Sequence, residues 1–472
     1  MENQNNNSAE EKSQRWIKEG LAYKNGVNDW LDIIYMDQEN PTTPCPEETR
    51  KDMSEDVLNI IGAYNEAKKY DELRKLFPPD TDPLDLQGIT GVASQVILLD
   101  DGRIVATVNE WFQERLVYML EDNTRTFLDG GIFMTGKSFD KKYLAKVYPD
   151  KIDVHEGWDG KIVSTFTPPK TYGEAFLKEN PAYVDDLSEK NFLTMNIHKV
   201  VVFPGGDQLA IASRAGIFVL TENESKIINT EYFECDEEDY GEYEMKVEYP
   251  HVDVSPDAKY IVAGSKDSNH LILEKKDNSW KTITEVEPFS SYPNFAKFNY
   301  LVDKSEIAKS GPQVLLSSCH FSRSASVSLP IDKIKSGLEI YTSDESCEDF
   351  LNFTDNQRWI NTAGVYNWGW ALGAGDGYIW FKHFNGYQYG YLHVGLSVVD
   401  IDFSSDQRKM VVAGNGQVTV YELSEAFSNG EIFRTPDTKE ESRKDPYAIT
   451  NSAFVDKKRY LFVVGFDGPA IW

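Results

Sequence analysis

The chain has 472 residues, 40% of them hydrophobic and 13% aromatic, and carries a formal net charge of -29. That acidity opposes contact with phosphates, so neither nucleic acid nor an anionic membrane is expected as a partner; it suits solubility, or a basic protein. The four cysteines (Cys45, Cys235, Cys319, Cys347) show no Cys-x-x-Cys spacing, which argues against a disulfide framework or a zinc site and for reduced thiols.

The opening MENQNNNSAEEKSQRW has no basic n-region and no apolar h-region, and no run of 18 apolar residues occurs. A cytoplasmic location is therefore expected. Residues 1–12, Asn-rich and charged, predict a disordered tail. Residues 13–79 predict a helical extension. In Gln14–Met36, Trp16, Ile17, Leu21, Trp30, Ile33 and Ile34 are interrupted by Gly20 and Gly26. Ser54–Phe77 is the better helix: Val57, Ile60, Ile61 and Tyr64 form one apolar stripe. Ser54 is expected as its N-cap, Glu55 and Asp56 complement its positive end, and Pro78-Pro79 stops it. Residues 80–88 read as a linker.

From residue 89 to 472 helical periodicity gives way to short alternating runs. Val398–Leu423, VVDIDFSSDQRKMVVAGNGQVTVYEL, has an apolar strand, a polar turn with Asp, a second strand ending in Ala-Gly, a tight turn and a third strand. The pattern returns in Lys199–Leu220, His251–Leu273 and Ser452–Trp472, more weakly from Ser94 and Thr135, and with strain in Asn294–Thr342 and Ile360–Val394. Most copies are followed by a fourth, more variable strand. Eight units are counted, with seven the alternative; eight gives about 48 residues each, near the length of one four-stranded propeller blade. Stacking such sheets radially buries both faces of each and leaves only short edges. The fold class predicted is all-β: a single β-propeller of four-stranded blades with a short α-helical N-terminal extension. Because the eighth unit ends at its third strand, Leu84–Ile89 is expected to supply the missing outer strand and close the ring.

SPDAKYIVAGSKDSNHLIL and VGFDGPAIW resemble the WD-repeat pattern of Ser-Pro-Asp-Gly, Gly-Ser-x-Asp-Gly and a strand closing in Trp-Asp. The Gly-His dipeptide is absent, and no Asp follows Trp472. The resemblance implies a propeller and no particular activity.

Catalytic chemistry finds little support. There are seven histidines and no Gly-x-Ser-x-Gly elbow. Cys319 and His320 are adjacent on a strand and point to opposite faces. The acidic run Glu234–Glu244 lacks the order of a calcium loop and reads as a solvated loop between the third and fourth units, or a patch for a basic partner. No cofactor and no metal are expected. In the sixth unit Trp368, Trp370, Tyr378, Trp380, Phe381, Phe384, Tyr387 and Tyr389 fall within 22 residues. Alternation sends half of them inward, and the rest are available for a rim hot spot.

The function these features predict is a non-catalytic protein–protein interaction scaffold, expected as a monomer, that presents its loop faces to another protein, of basic character. The partner-binding candidates are Trp111, Arg214, Asp236, Glu237, Glu238, Asp239, Asp267, Arg323, Trp368, Trp370, Asp376, Tyr378, Asn415 and Asp467. One alternative is a propeller enzyme with a metal-assisted hydrolytic site in the central channel, where first strands bring Asp253, Asp400 and Asp402 with His198 and His251. Others are an immunity-type protein that sequesters a basic toxin, and a ring that serves only as platform for a functional helical N-terminus.

Overall fold

The structure, a computed structural model, describes residues 9–23, 25–26, 47–78, 92–108, 115–121, 124–168, 197–213, 216–229, 232–237, 241–246, 249–264, 269–277, 279–287, 292–301, 311–320, 323–342, 344–355, 358–367, 369–384, 386–394, 397–414, 416–428 and 454–461. The chain divides into two compact units, Met1–Ile89 with Val463–Trp472, and Thr90–Phe462.

In the first unit residues 9–23 are helical, which takes in positions 9–12 expected in the disordered tail. The predicted helix over Ser54–Phe77 is broken in two, Ser54–Glu66 and Tyr70–Leu76. Lys68 adopts a left-handed backbone (φ 55). The Lys69 N–H donates to Tyr64 O, and the Lys68 N–H to Asn65 O, which together form a Schellman stop with lysine where glycine is usual. Val57 is buried, as the stripe requires. Ser54 is not the N-cap: a 3-10 turn, Thr49–Met53, precedes it, and its hydroxyl donates back to Lys51 O.

The second unit is built of four-stranded antiparallel sheets in simple up-and-down order. Seven occur among the described residues, spanning 93–127, 134–166, 197–229, 251–287, 292–355, 360–393 and 398–461, here blades 1 to 7. The first strand of each lies innermost: Ala93–Leu98, Met134–Lys137, Ile197–Val202, His251–Val254, Tyr292–Asn299, Ile360–Tyr366 and Val398–Phe403. From blade 2 to blade 7 each inner strand packs beside the next, and that of blade 1 packs on that of blade 7. The inner strand of blade 2 meets blade 1 at that blade's third strand, Leu116–Glu121, and through Thr135 Oγ1 donating to Gln95 Oε1. Second strands such as Ile104–Val108, Tyr260–Gly264 and Gly369–Ala374 are buried along their whole length, as sheets covered on both faces demand.

The repeated polar turn has a physical cause. In blades 2, 4 and 7 a serine hydroxyl donates to an aspartate two residues on, at 2.6 Å each: Ser138–Asp140, Ser255–Asp257 and Ser404–Asp406. The same hydroxyl accepts the N–H that opens the second strand, from Tyr143, Tyr260 and Lys409. The residue after the aspartate is left-handed: Lys141, Ala258 and Gln407, with φ 57, 56 and 59. Blades 1 and 3 place glycine there, Gly102 and Gly206.

Among the described residues the count is the alternative of seven rather than eight. Ser452–Trp472 does not begin a new unit; its strand Phe454–Leu461 pairs antiparallel with Gln417–Leu423 as the fourth strand of blade 7. Blade 7 therefore has four strands without help from Leu84–Ile89, which lies outside the described residues. The acidic run is a hairpin rather than a loop, Tyr232–Glu237 paired with Gly241–Lys246; its alternation of acidic with aromatic or apolar residues suits strands. Blade 5 also departs from the plan. Between its third and fourth strands the chain leaves to add Leu338–Tyr341, parallel, to the outer edge of blade 4, which covers that edge.

Candidate functional site

The aromatic-rich blade sorts its rings by strand alternation. In Tyr378–Lys382, Ile379 and Phe381 point into the core shared with blade 7. Tyr378 and Trp380 point the other way. Their cross-strand partners in Gln388–His393 are His393 and Tyr391. The four rings form one ladder: Tyr378 stacks on Trp380 at 5.5 Å and 28°, His393 lies 4.5 Å from Tyr378, and Tyr391 lies 4.8 Å from Trp380. Such contacts add to simple area burial.

A buried charge cluster sets the ladder's base. Asp355, 1% exposed at its side chain, accepts from Lys382 Nζ at 2.8 Å and Arg358 Nη1 at 2.5 Å. The Arg358 guanidinium lies 3.6 Å above the Trp380 ring, a cation–π contact. The adjacent Trp359 is 57% exposed. Its carbonyl accepts from Gly375 N, which fixes it beside the turn holding Asp376. Asp376 is exposed, and its carboxylate accepts from Tyr378 N at 3.3 Å. Trp359, Asp376, Tyr378 and His393 thus share the end of blade 6 where its second strand turns into its third.

The candidates read from sequence fall into three groups. Asp376 and Tyr378 belong to this end of blade 6. Trp370 is removed from it: the side chain is fully buried, donates from Nε1 to Ser328 Oγ at 3.0 Å and meets Phe384 edge-on. It is a core residue because alternation on Gly369–Ala374 turns it towards blade 5. Asp236, Glu237 and Arg323 lie on strands whose side chains at these positions are outside the described residues, and Trp111, Arg214, Glu238, Asp239, Asp267, Trp368, Asn415 and Asp467 are outside them altogether. Sequence reading passed over Trp359 and His393. Trp359 follows a charged stretch, and His393 acquires meaning only when paired with Tyr378.

The central channel holds a second polar assembly. Asp400 accepts from Val96 N at 3.0 Å and Asp402 from Leu98 N at 2.9 Å, both on the inner strand of blade 1. Lys137 of blade 2 reaches Asp402 at 2.6 Å, Lys141 reaches it at 3.4 Å, and Lys297 of blade 5 reaches Asp400 at 3.4 Å. These ammonium groups and the amide bonds hold both carboxyls below the usual carboxylate range despite burial. Asp253 accepts from Phe298 N at 2.8 Å, joining blade 4 to blade 5, and burial pushes its carboxyl up. Among the described residues no three His, Cys, Asp or Glu side chains converge as metal ligands.

A closed circle of seven radial sheets around a polar channel is a β-propeller. No protein-family model matches the chain, and no curated protein matches it. Among solved structures, it is similar to the β-propeller domain of Myceliophteria thermophila Cps50 (Swd1), with 10% identity over 71% of this chain and 97% of that one and a TM-score of 0.45. It is also similar to Kluyveromyces lactis Hsv2, with 12% identity over 62% of this chain and 73% of that one and a TM-score of 0.39.

Proposed function

We propose that the protein is a non-catalytic interaction scaffold, working as a cytoplasmic monomer, and that the aromatic end of blade 6 is where it takes hold of a basic protein segment. The observation that carries this reading is Trp359: a large side chain left 57% exposed and held by Gly375 N next to the turn of Asp376 and Tyr378. Exposed Trp and Tyr on a rigid sheet edge are what interface hot spots are made of, because they bury much area at little cost in side-chain freedom. Asp376 at the same end and the net charge of -29 favour a cationic partner and speed its encounter. The channel carboxylates Asp400 and Asp402 are engaged by amides and lysines, which supports a structural role for them rather than a hydrolytic one.

The test compares captured proteins from a lysate for the wild-type chain and for the double variant Trp359→Ala, Tyr378→Ala, quantified by mass spectrometry. A specific set lost from the variant, with its melting temperature retained, is the expected result. An unchanged set removes blade 6 from the reading.

A further inference from the structure

Trp359 and Asp376 repeat, at the surface, a combination that Trp380 completes beneath them. The Arg358 guanidinium lies 3.6 Å from the centre of the Trp380 ring and donates from Nη1 to Asp355 at 2.5 Å. One arginine thus meets a tryptophan face and a carboxylate at once. At the surface the tryptophan and the carboxylate are present without the arginine.

Two contacts hold the surface pair together. The Trp359 carbonyl accepts from Gly375 N at 2.9 Å. The indole lies against Gly375: its Cγ and Cδ2 are each 3.7 Å from the place a Cβ on that glycine would take. Asp376 follows Gly375 in the turn, is exposed, and commits Oδ1 to Tyr378 N, which leaves Oδ2 for another donor. Among the described residues Asp376 forms no ion pair, and no lysine or arginine stands over Trp359. Arg358, adjacent in sequence, is already held by Asp355 above Trp380, and Lys382 is buried against the same carboxylate.

We infer that the basic segment taken by this end of blade 6 is anchored by an arginine, whose guanidinium stacks on Trp359 and donates to Asp376. The inference rests on the blade 6 reading proposed above and adds the identity of the anchoring side chain. Guanidinium is planar and weakly hydrated, so its face covers an indole while the N–H groups at its edge reach a carboxylate. Lysine brings the same charge on a compact, strongly hydrated ammonium that has no plane to stack. A partner segment with lysine in that place keeps the attraction to Asp376 and loses the stacking.

The probes are two capped tetrapeptides, all-arginine and all-lysine, carrying the same fluorescent tag and titrated with the full chain at one ionic strength. The readout is the ratio of their affinities, because the net charge of -29 attracts both peptides alike. The wild type is expected to bind the arginine peptide about fivefold more tightly or better. Trp359→Ala is expected to bring the ratio to about one, and Trp359→Phe to keep part of it. Asp376→Asn retains an acceptor for Tyr378 N and is expected to weaken arginine binding. All three variants should keep the wild-type melting temperature, since both side chains are exposed. A wild-type ratio near one, with both peptides weakened by Trp359→Ala, overturns the arginine anchor and leaves blade 6 a cation-binding surface. A ratio unchanged in Trp359→Ala, or no binding of the arginine peptide to the wild type, also overturns it; the surface itself stands or falls by the capture experiment above.

Discussion

Asp402, in the last blade, accepts a hydrogen bond from the backbone N–H of Leu98, in the first, at 2.9 Å and across 304 positions of sequence. Asp400 does the same for Val96. The ring is thus joined side chain to main chain along two inner strands, and its ends need no shared strand. Asp253 uses the same device between blades 4 and 5 through Phe298 N.

Replacing Asp402 tests this closure. Asp402→Asn keeps an acceptor for Leu98 but leaves Lys137 and Lys141 without their carboxylate, and breaking a buried pair in this way costs about 3–5 kcal/mol. Urea denaturation should show a loss of that order. A loss below about 1 kcal/mol, the scale of a surface pair, would show that the closure lies elsewhere. The carboxyl titrates lower folded than unfolded, so its contribution is complete above the usual aspartate range near pH 4 and fades only as pH falls towards the folded value.

His251 and His270 predict a separate loss of stability at mildly acidic pH. Burial pushes His270 down to about 3 and His251 well below the usual range. Both stay neutral in the fold while the unfolded chain takes up protons below about pH 6.5, so stability falls with pH from there towards 3, by up to about 1.4 kcal/mol per unit for each histidine. Denaturation in phosphate-free buffers from about pH 7 down to about pH 5.5 reads the slope above the carboxylate range. His270→Gln should reduce it by one proton; an unaltered slope sinks the assignment.

Ala258 sits left-handed in a turn where blades 1 and 3 place glycine. Ala258→Gly relieves a conformation that costs a non-glycine residue about 1 kcal/mol, partly offset by glycine's greater unfolded freedom, so a gain of a few tenths to about 1 kcal/mol is expected. The reverse change at Gly206 (φ 73), where a Cβ would come within 2.6 Å of the Tyr143 ring, should destabilise by more than that. Thermal melts of Ala258→Gly and Gly206→Ala give the two signs; the same sign for both refutes the turn argument.

Asp355 underlies the blade 6 surface. Asp355→Ala leaves Lys382, 8% exposed at its side chain, without its carboxylate and frees Arg358 from above Trp380. A stability loss of about 3 kcal/mol or more is expected, together with weakened partner capture. Trp359→Ala, at an exposed position, should weaken capture and leave the melting temperature within about 1–2 °C. Equal destabilisation by both variants would make Trp359 a packing residue.

Much of the architecture is legible in the residues themselves. The Ser-x-Asp turns of blades 2, 4 and 7 are local: hydroxyl, carboxylate and strand amide lie within five residues. Alternation marks the strands, and strand pairs joined by such turns can stack only as a propeller or a similar array. The eighth unit was misread because FVDKKRY resembles a strand and turn. In the structure Asp456, Lys457, Lys458 and Arg459 all pair within one strand, and an outer edge tolerates such charge because it meets solvent.

What the chain alone determined is therefore the kind of module, the polarity of its turns and the aromatic weight of blade 6, since each depends on neighbours close in sequence. Only the tertiary structure decided that Trp370 is core while Trp359 is surface, because that choice rests on which face of a strand meets another blade. It also decided that Lys137, Lys141 and Lys297, scattered among 48 lysines and arginines, meet Asp400 and Asp402 in one channel. Closing a ring brings the inner strands of distant blades within reach of a single side chain, and no local pattern records that distance.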